Sequence, residues 1–110
     1  NSHLKEKANA GIDFVANGNE PFWSLDIDKG KGLTFNSPNI KTPITTPYTD
    51  PTITNGIREY VIETESAKLN VKISPQFCSD GMSDFIYEYK VDLELNKKKY
   101  YGCGRLLHEL

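Results

Sequence analysis

At 110 residues the chain is long enough for one hydrophobic core and too short for a core plus a separate substrate domain, so one site is the most to expect. Apolar residues make up only 37%, so the interior must lean on the large rings of five Phe, six Tyr and one Trp. A formal net charge of −2 argues against a nucleic-acid surface, which needs a clustered Lys/Arg excess; the one basic run, Lys97-Lys98-Lys99, falls in a predicted turn and reads as a solvated hairpin tip.

No stretch approaches the roughly twenty consecutive apolar residues of a membrane-spanning helix. Residues 1–11, beginning NSHLKEKANA, read as a flexible N-terminal tail or tether, and residues 12–110 as a single β domain. Residues 12–15 are a short strand candidate ended by the turn signal Asn17-Gly18-Asn19. After Pro21, Trp23, Leu25 and Ile27 alternate with Phe22, Ser24, Asp26 and Asp28, so the first three share a core face. A Gly-rich turn leads to Leu33 and Phe35 and completes a first hairpin.

Residues 37–55 hold four of the six prolines and read as a long connection with one broken edge strand near residues 40–46, the best candidate for a mobile flap. Ile57, Glu59, Val61 and Glu63 then oppose Arg58, Tyr60, Ile62 and Thr64 in a strand of mixed faces. Leu69, Val71 and Ile73 alternate with Lys68, Asn70 and Lys72, as in a half-solvated antiparallel strand. Residues 85–96 read as one long strand with Phe85, Tyr87, Tyr89, Val91, Leu93 and Leu95 inward, turned back at Asn96-Lys97-Lys98 into residues 99–103. No capped 3.6-residue period is sustained, so little helix is expected. The chain is therefore all-β: a small antiparallel β-barrel or barrel-like sandwich of about seven or eight strands.

The two cysteines, Cys78 and Cys103, bracket this last hairpin. They admit a disulfide or two buried thiols, and Gly102 and Gly104 beside Cys103 allow close approach of another backbone. A disulfide is favoured; it would close a loop of about 25 residues, stabilise by roughly 3.5 kcal/mol on the chain-entropy model, and imply an oxidising compartment.

Catalytic chemistry finds little to use. The two histidines, His3 and His108, lie near the termini, where a Ser-His-Asp arrangement would need a frayed end to position its base. Asp80 and Asp84 sit in a loop where Asp and Ser commonly bond their own backbone amides. Cys78, Met82, Cys103 and His108 form a soft ligand set suited to Cu(I) or Zn(II) if the thiols are reduced, but their spacing fits no established zinc pattern. Glu20, Pro21, Phe22 and Trp23 at a strand start could line a cavity with one ring inward and one outward. In the plainer reading, Trp23 fills the closed end of the barrel and Glu20 accepts amides of the loop after Cys78.

Taken together, Gly18-x-Glu20-Pro21-Phe22-Trp23, Cys78-Ser79-Asp80-Gly81-Met82-Ser83-Asp84-x-x-Tyr87 and Tyr101-Gly102-Cys103 resemble the motifs of a group of small uncharacterised bacterial envelope proteins and lipoproteins. The resemblance spans residues 18–105. It implies a periplasmic or outer-surface location, a lipid anchor upstream of Asn1, and a Cys78–Cys103 disulfide. Tyr87 is followed by Glu88 where that group has Tyr-Pro, so the local bend should differ. More loosely, the chain is similar to small β-barrel envelope lipoproteins that include copper-stress sensors and lysozyme inhibitors.

These readings lead to a monomeric, non-enzymatic envelope module without a cofactor that binds an unidentified protein partner or small ligand through Glu20, Phe22, Trp23, Asp80, Met82 and Asp84. Its membrane association would run only through the upstream anchor. The alternative is a metal-binding or redox-sensing envelope protein using Cys78, Met82, Cys103 and His108.

Overall fold

A strand with one apolar face must pair its backbone groups and bury that face, and a run of such strands does both by forming a sheet that curls. The computed structural model describes residues 2–19, 22–79, 81 and 85–110. After a helix α1 (Ser2–Asn9) come β1 (Phe14–Asn19), β2 (Phe22–Asp28), β3 (Gly32–Asn36), β4 (Ile44–Thr46), β5 (Thr52–Thr54), β6 (Ile57–Glu63) and β7 (Lys68–Ser74). Then follow β8 (Cys78–Ser79), β9 (Ile86–Tyr87), β10 (Tyr89–Leu95) and β11 (Lys98–Leu106). Nine of these form one antiparallel sheet in the order β4-β3-β2-β1-β11-β10-β7-β6-β5, while β8 and β9 pair only with each other. The fold is all-β, a curled half-barrel.

Connectivity explains the curl. β4 and β5 lie at opposite edges, yet only residues 47–51 join them. Six Cα steps span at most about 21 Å, whereas the outer strands of a flat nine-stranded sheet would stand about 38 Å apart. The two edges must therefore approach each other, and the overall extents of 39 × 30 × 28 Å agree. Tyr48, in this short link, packs on the core and meets Tyr60 edge-on at 6.0 Å, covering the seam.

The inner face collects the alternating apolar residues, including Leu25, Leu33, Tyr60, Val71 and Val91, all fully buried. Rings dominate one part of it: Trp23 stacks on Phe35 at 6.2 Å, and Tyr100 meets Phe35 edge-on at 5.0 Å. The first hairpin, the edge strand within residues 40–46 and the alternation of β7 match the sequence reading.

Within residues 1–11, read as a tail or tether, lies α1, which meets the sheet through a 3.0 Å Lys7–Asp26 ion pair and the C-terminal segment through His108 Nε2, which donates to the Ala8 carbonyl at 2.8 Å. Three other expectations are corrected. Asn17-Gly18-Asn19 is strand, because β1 pairs with β2 through Asn19↔Phe22. Asn55, read as the last residue of the long connection, is with Gly56 the two-residue turn of the β5–β6 hairpin, with φ of 53° and 81°. The long strand of residues 85–96 breaks at Glu88. Tyr89, Val91, Leu93 and Leu95 face the core side, but Phe85 is 44% exposed and Tyr87 half-buried, because β9 leaves the sheet to pair with β8.

Candidate binding cleft beside the disulfide

Cys103 alternates out of the core: its neighbour Tyr100 is an inner-face ring, so Tyr101, Cys103 and Arg105 occupy the outer face of β11. Tyr101 is accordingly 61% exposed, yet Cys103 is almost fully buried. The cover is β8, whose Cys78 is bonded to Cys103 with the Cα atoms 5.6 Å apart. Disulfides persist in oxidising surroundings, and this one points to a location outside the cytoplasm.

Gly102 and Gly18 serve the opposite face. A Cβ on Gly18 would collide with Trp23 Nε1 and the Tyr101 carbonyl, and one on Gly102 would meet the Asn17 carbonyl and lie 2.9 Å from Trp23 Cζ2. The close backbone approach anticipated beside Cys103 is thus that of β1, and the indole fills the space left over. From there Trp23 Nε1 donates to the Tyr101 carbonyl at 3.1 Å. That bond fixes the backbone of the residue whose ring faces solvent.

A cleft of about 440 Å³ opens along this edge, lined on one side by Asn17, Gly18 and Asn19 of β1 and on the other by Phe77, Cys78 and Ser79, with Tyr101 and Lys90 beside them. Phe77 is 79% exposed, and Phe22, outward-facing on β2 opposite Asn19, is 53% exposed. Across Tyr101 lies a second depression of about 290 Å³ whose walls include Glu59, Lys72, Asp92 and Glu94. Its Glu59, Lys72 and Asp92 stand opposite one another on β6, β7 and β10, a charge ladder that stabilises a solvated sheet face. The first cleft is the better site, because exposed rings beside amides need a reason that a charge ladder does not.

Of the residues singled out from sequence, Cys78 and Cys103 line this cleft, and Phe22 stands next to it as the β2 partner of Asn19. Trp23, named as a binding residue, is fully buried and so follows the plainer reading of a core ring; it meets the cleft only through its hydrogen bond to the Tyr101 carbonyl. Glu20, Asp80, Met82 and Asp84 lie outside the described residues. Ser79 Oγ accepts the Gly81 amide at 3.2 Å, the local turn bonding expected of that loop. The soft-metal set loses its thiolates, since both sulfurs are joined, and His108 is held at the α1 end. Among the described residues no three His, Cys, Asp or Glu side chains gather as a metal site. Sequence reasoning missed Phe77 and Tyr101; the signal was available in the outward parity of Tyr101 next to the inward Tyr100.

The chain was compared with family models, curated proteins and solved structures. None matches it.

Proposed function

We propose that the chain is a non-enzymatic module of the bacterial cell envelope, periplasmic or surface-exposed and derived from a lipoprotein, that binds a protein partner or small ligand through the cleft beside the disulfide. The observation that carries this reading is the meeting of three distant segments: β1 and β2 around Gly18 and Phe22, β8 at Cys78, and β11 at Tyr101. The ladders of β1 with β2 and β11 join the first and last of these, the disulfide ties β8 to β11, and the indole hydrogen bond adds to them. Exposed rings beside Asn, Gln and Ser side chains are the composition of protein recognition surfaces, where rings supply area at low entropic cost and small polar groups supply adaptable hydrogen bonds. The disulfide supports the extracytoplasmic half of the reading, and the motif resemblance supports the envelope and the lipid anchor.

A photo-crosslinking residue placed at Tyr101, with a control at the equally exposed Val61 of β6, tests it in envelope extracts. A discrete adduct is expected from position 101 alone, and Phe22→Ser with Phe77→Ser should abolish it. Equal labelling from both positions, or an adduct indifferent to the two Phe changes, would remove the cleft as the binding surface. Inhibition of a wall-degrading hydrolase falls within this class of function, and lysozyme assays on the pure protein examine it directly.

A further inference from the structure

The β8–β9 ribbon is held where the core does not hold it. It is a two-residue ladder in a sheet of its own, with no ladder to β11, and a two-stranded ribbon is marginal by itself in water. None of its described residues joins the hydrophobic core, and Phe77, Phe85 and Ile86 stand 79%, 44% and 54% exposed. Its links to β11 include the Arg105 guanidinium over the Phe85 ring at 5.0 Å, a contact that is weak at an exposed site, and the Cys78–Cys103 bond. Cys103 is 1% exposed beneath the ribbon, whereas Cys78 is partly exposed, so Cys78 is the more open side of the bond.

We propose that Cys78–Cys103 is a redox latch: its reduction releases β8 and β9 from β11 and uncovers the outer face of β11, while the nine-stranded sheet stays folded. A dithiol reductant supplies the chemistry. Its first thiolate attacks Cys78 Sγ, forming a mixed disulfide and expelling Cys103 as a thiolate that then takes up a proton. Its second thiol displaces Cys78, so the reductant ends as a disulfide and the protein as two thiols, with two electrons and two protons transferred. The sheet survives because Trp23, Phe35 and Tyr100 pack on the face of β11 opposite the ribbon. The latch stands on this geometry whatever the cleft binds.

Hydrogen exchange by mass spectrometry on the oxidised and dithiothreitol-reduced protein tests it, with the Cys78→Ser/Cys103→Ser double variant as a reductant-free comparison and Trp23 emission as the monitor of the core. Reduction should speed exchange in residues 77–79 and 85–87 by roughly tenfold or more, as local opening does. β2 and β10 should keep their protection, Trp23 emission should hold, and Cys103 should become open to alkylation. A shift of Trp23 emission with loss of protection throughout would make the bond a global staple and overturn the latch. Retained protection in residues 77–79 and 85–87 after reduction would overturn it from the other side, showing a ribbon that docks without the bond.

Discussion

Gly18 is silent in composition yet decides where the only indole of the chain goes. Its missing side chain lets Trp23 lie against β1 and reach the Tyr101 carbonyl, so Gly18→Ala should destabilise by about 1–3 kcal/mol through overpacking. Gly30→Ala is the control: its Cβ would meet only Asp28 Oδ1, at 3.4 Å on an exposed turn, and should cost within about 0.5 kcal/mol. Urea unfolding of the two variants separates them, and equal midpoints would mean that the ring does not need the space. The other informative residue is Lys97. Asn96 and Lys97 have φ of 50° and 74° between Leu95 and Lys98, the geometry of a type I′ hairpin turn. Asn accepts a left-handed conformation with little strain, whereas Lys does not. Lys97→Gly is therefore expected to raise stability by roughly 0.5–1 kcal/mol, seen as a higher thermal midpoint. The Asn55-Gly56 turn already has glycine at the matching place.

At the scale of elements, the β8–β9 ribbon changes what the sequence pattern means. Alternation from Phe85 to Leu95 is continuous, yet pairing of Ile86 with Ser79 and Tyr87 with Cys78 takes the first part out of the sheet. The same pairing sets how much the disulfide is worth. Closing the 25-residue separation would stabilise by roughly 3.5 kcal/mol if only the unfolded chain were constrained. A ribbon freed in the reduced folded protein recovers entropy there too, which offsets part of that gain. Cys78→Ala with Cys103→Ala should consequently lower the unfolding free energy by about 1.5–3 kcal/mol, followed by Trp23 fluorescence in urea. A loss of the full entropic figure or more would mean that the ribbon stays ordered without its bond.

For the molecule as a whole, the seam between the two sheet edges is the place to look for pH dependence. Tyr60 is fully buried there, and among the described residues no group bonds its hydroxyl. Burial pushes its pKa well above the ordinary phenol range, and the Tyr48 side chain facing it adds to the rise. Below about pH 10 the phenol is protonated in both folded and unfolded chains and contributes no pH dependence. Above that pH the unfolded chain releases its proton and the folded one does not, so stability falls as pH rises. Tyr60→Phe removes both the unsatisfied hydroxyl and this alkaline loss. It should leave stability at pH 7 unchanged or raise it by up to about 1 kcal/mol, and flatten the decline above pH 10 in a urea series. A clear loss at pH 7 would mean that the oxygen is hydrogen-bonded after all.

From sequence alone, the period of two decided the fold class and most inward residues of β2, β3, β7 and the Tyr89-to-Leu95 strand, because each alternating strand carries its own burial pattern locally. The order of the strands, with β10 and β11 inserted between β1 and β7, was settled by tertiary structure, since any of those apolar faces could have packed against any other. So was the place of Trp23 within the core. Parity puts Trp23 inward and leaves Phe22 exposed, but only the missing side chains of Gly18 and Gly102, on two other strands, give the indole the space that it fills.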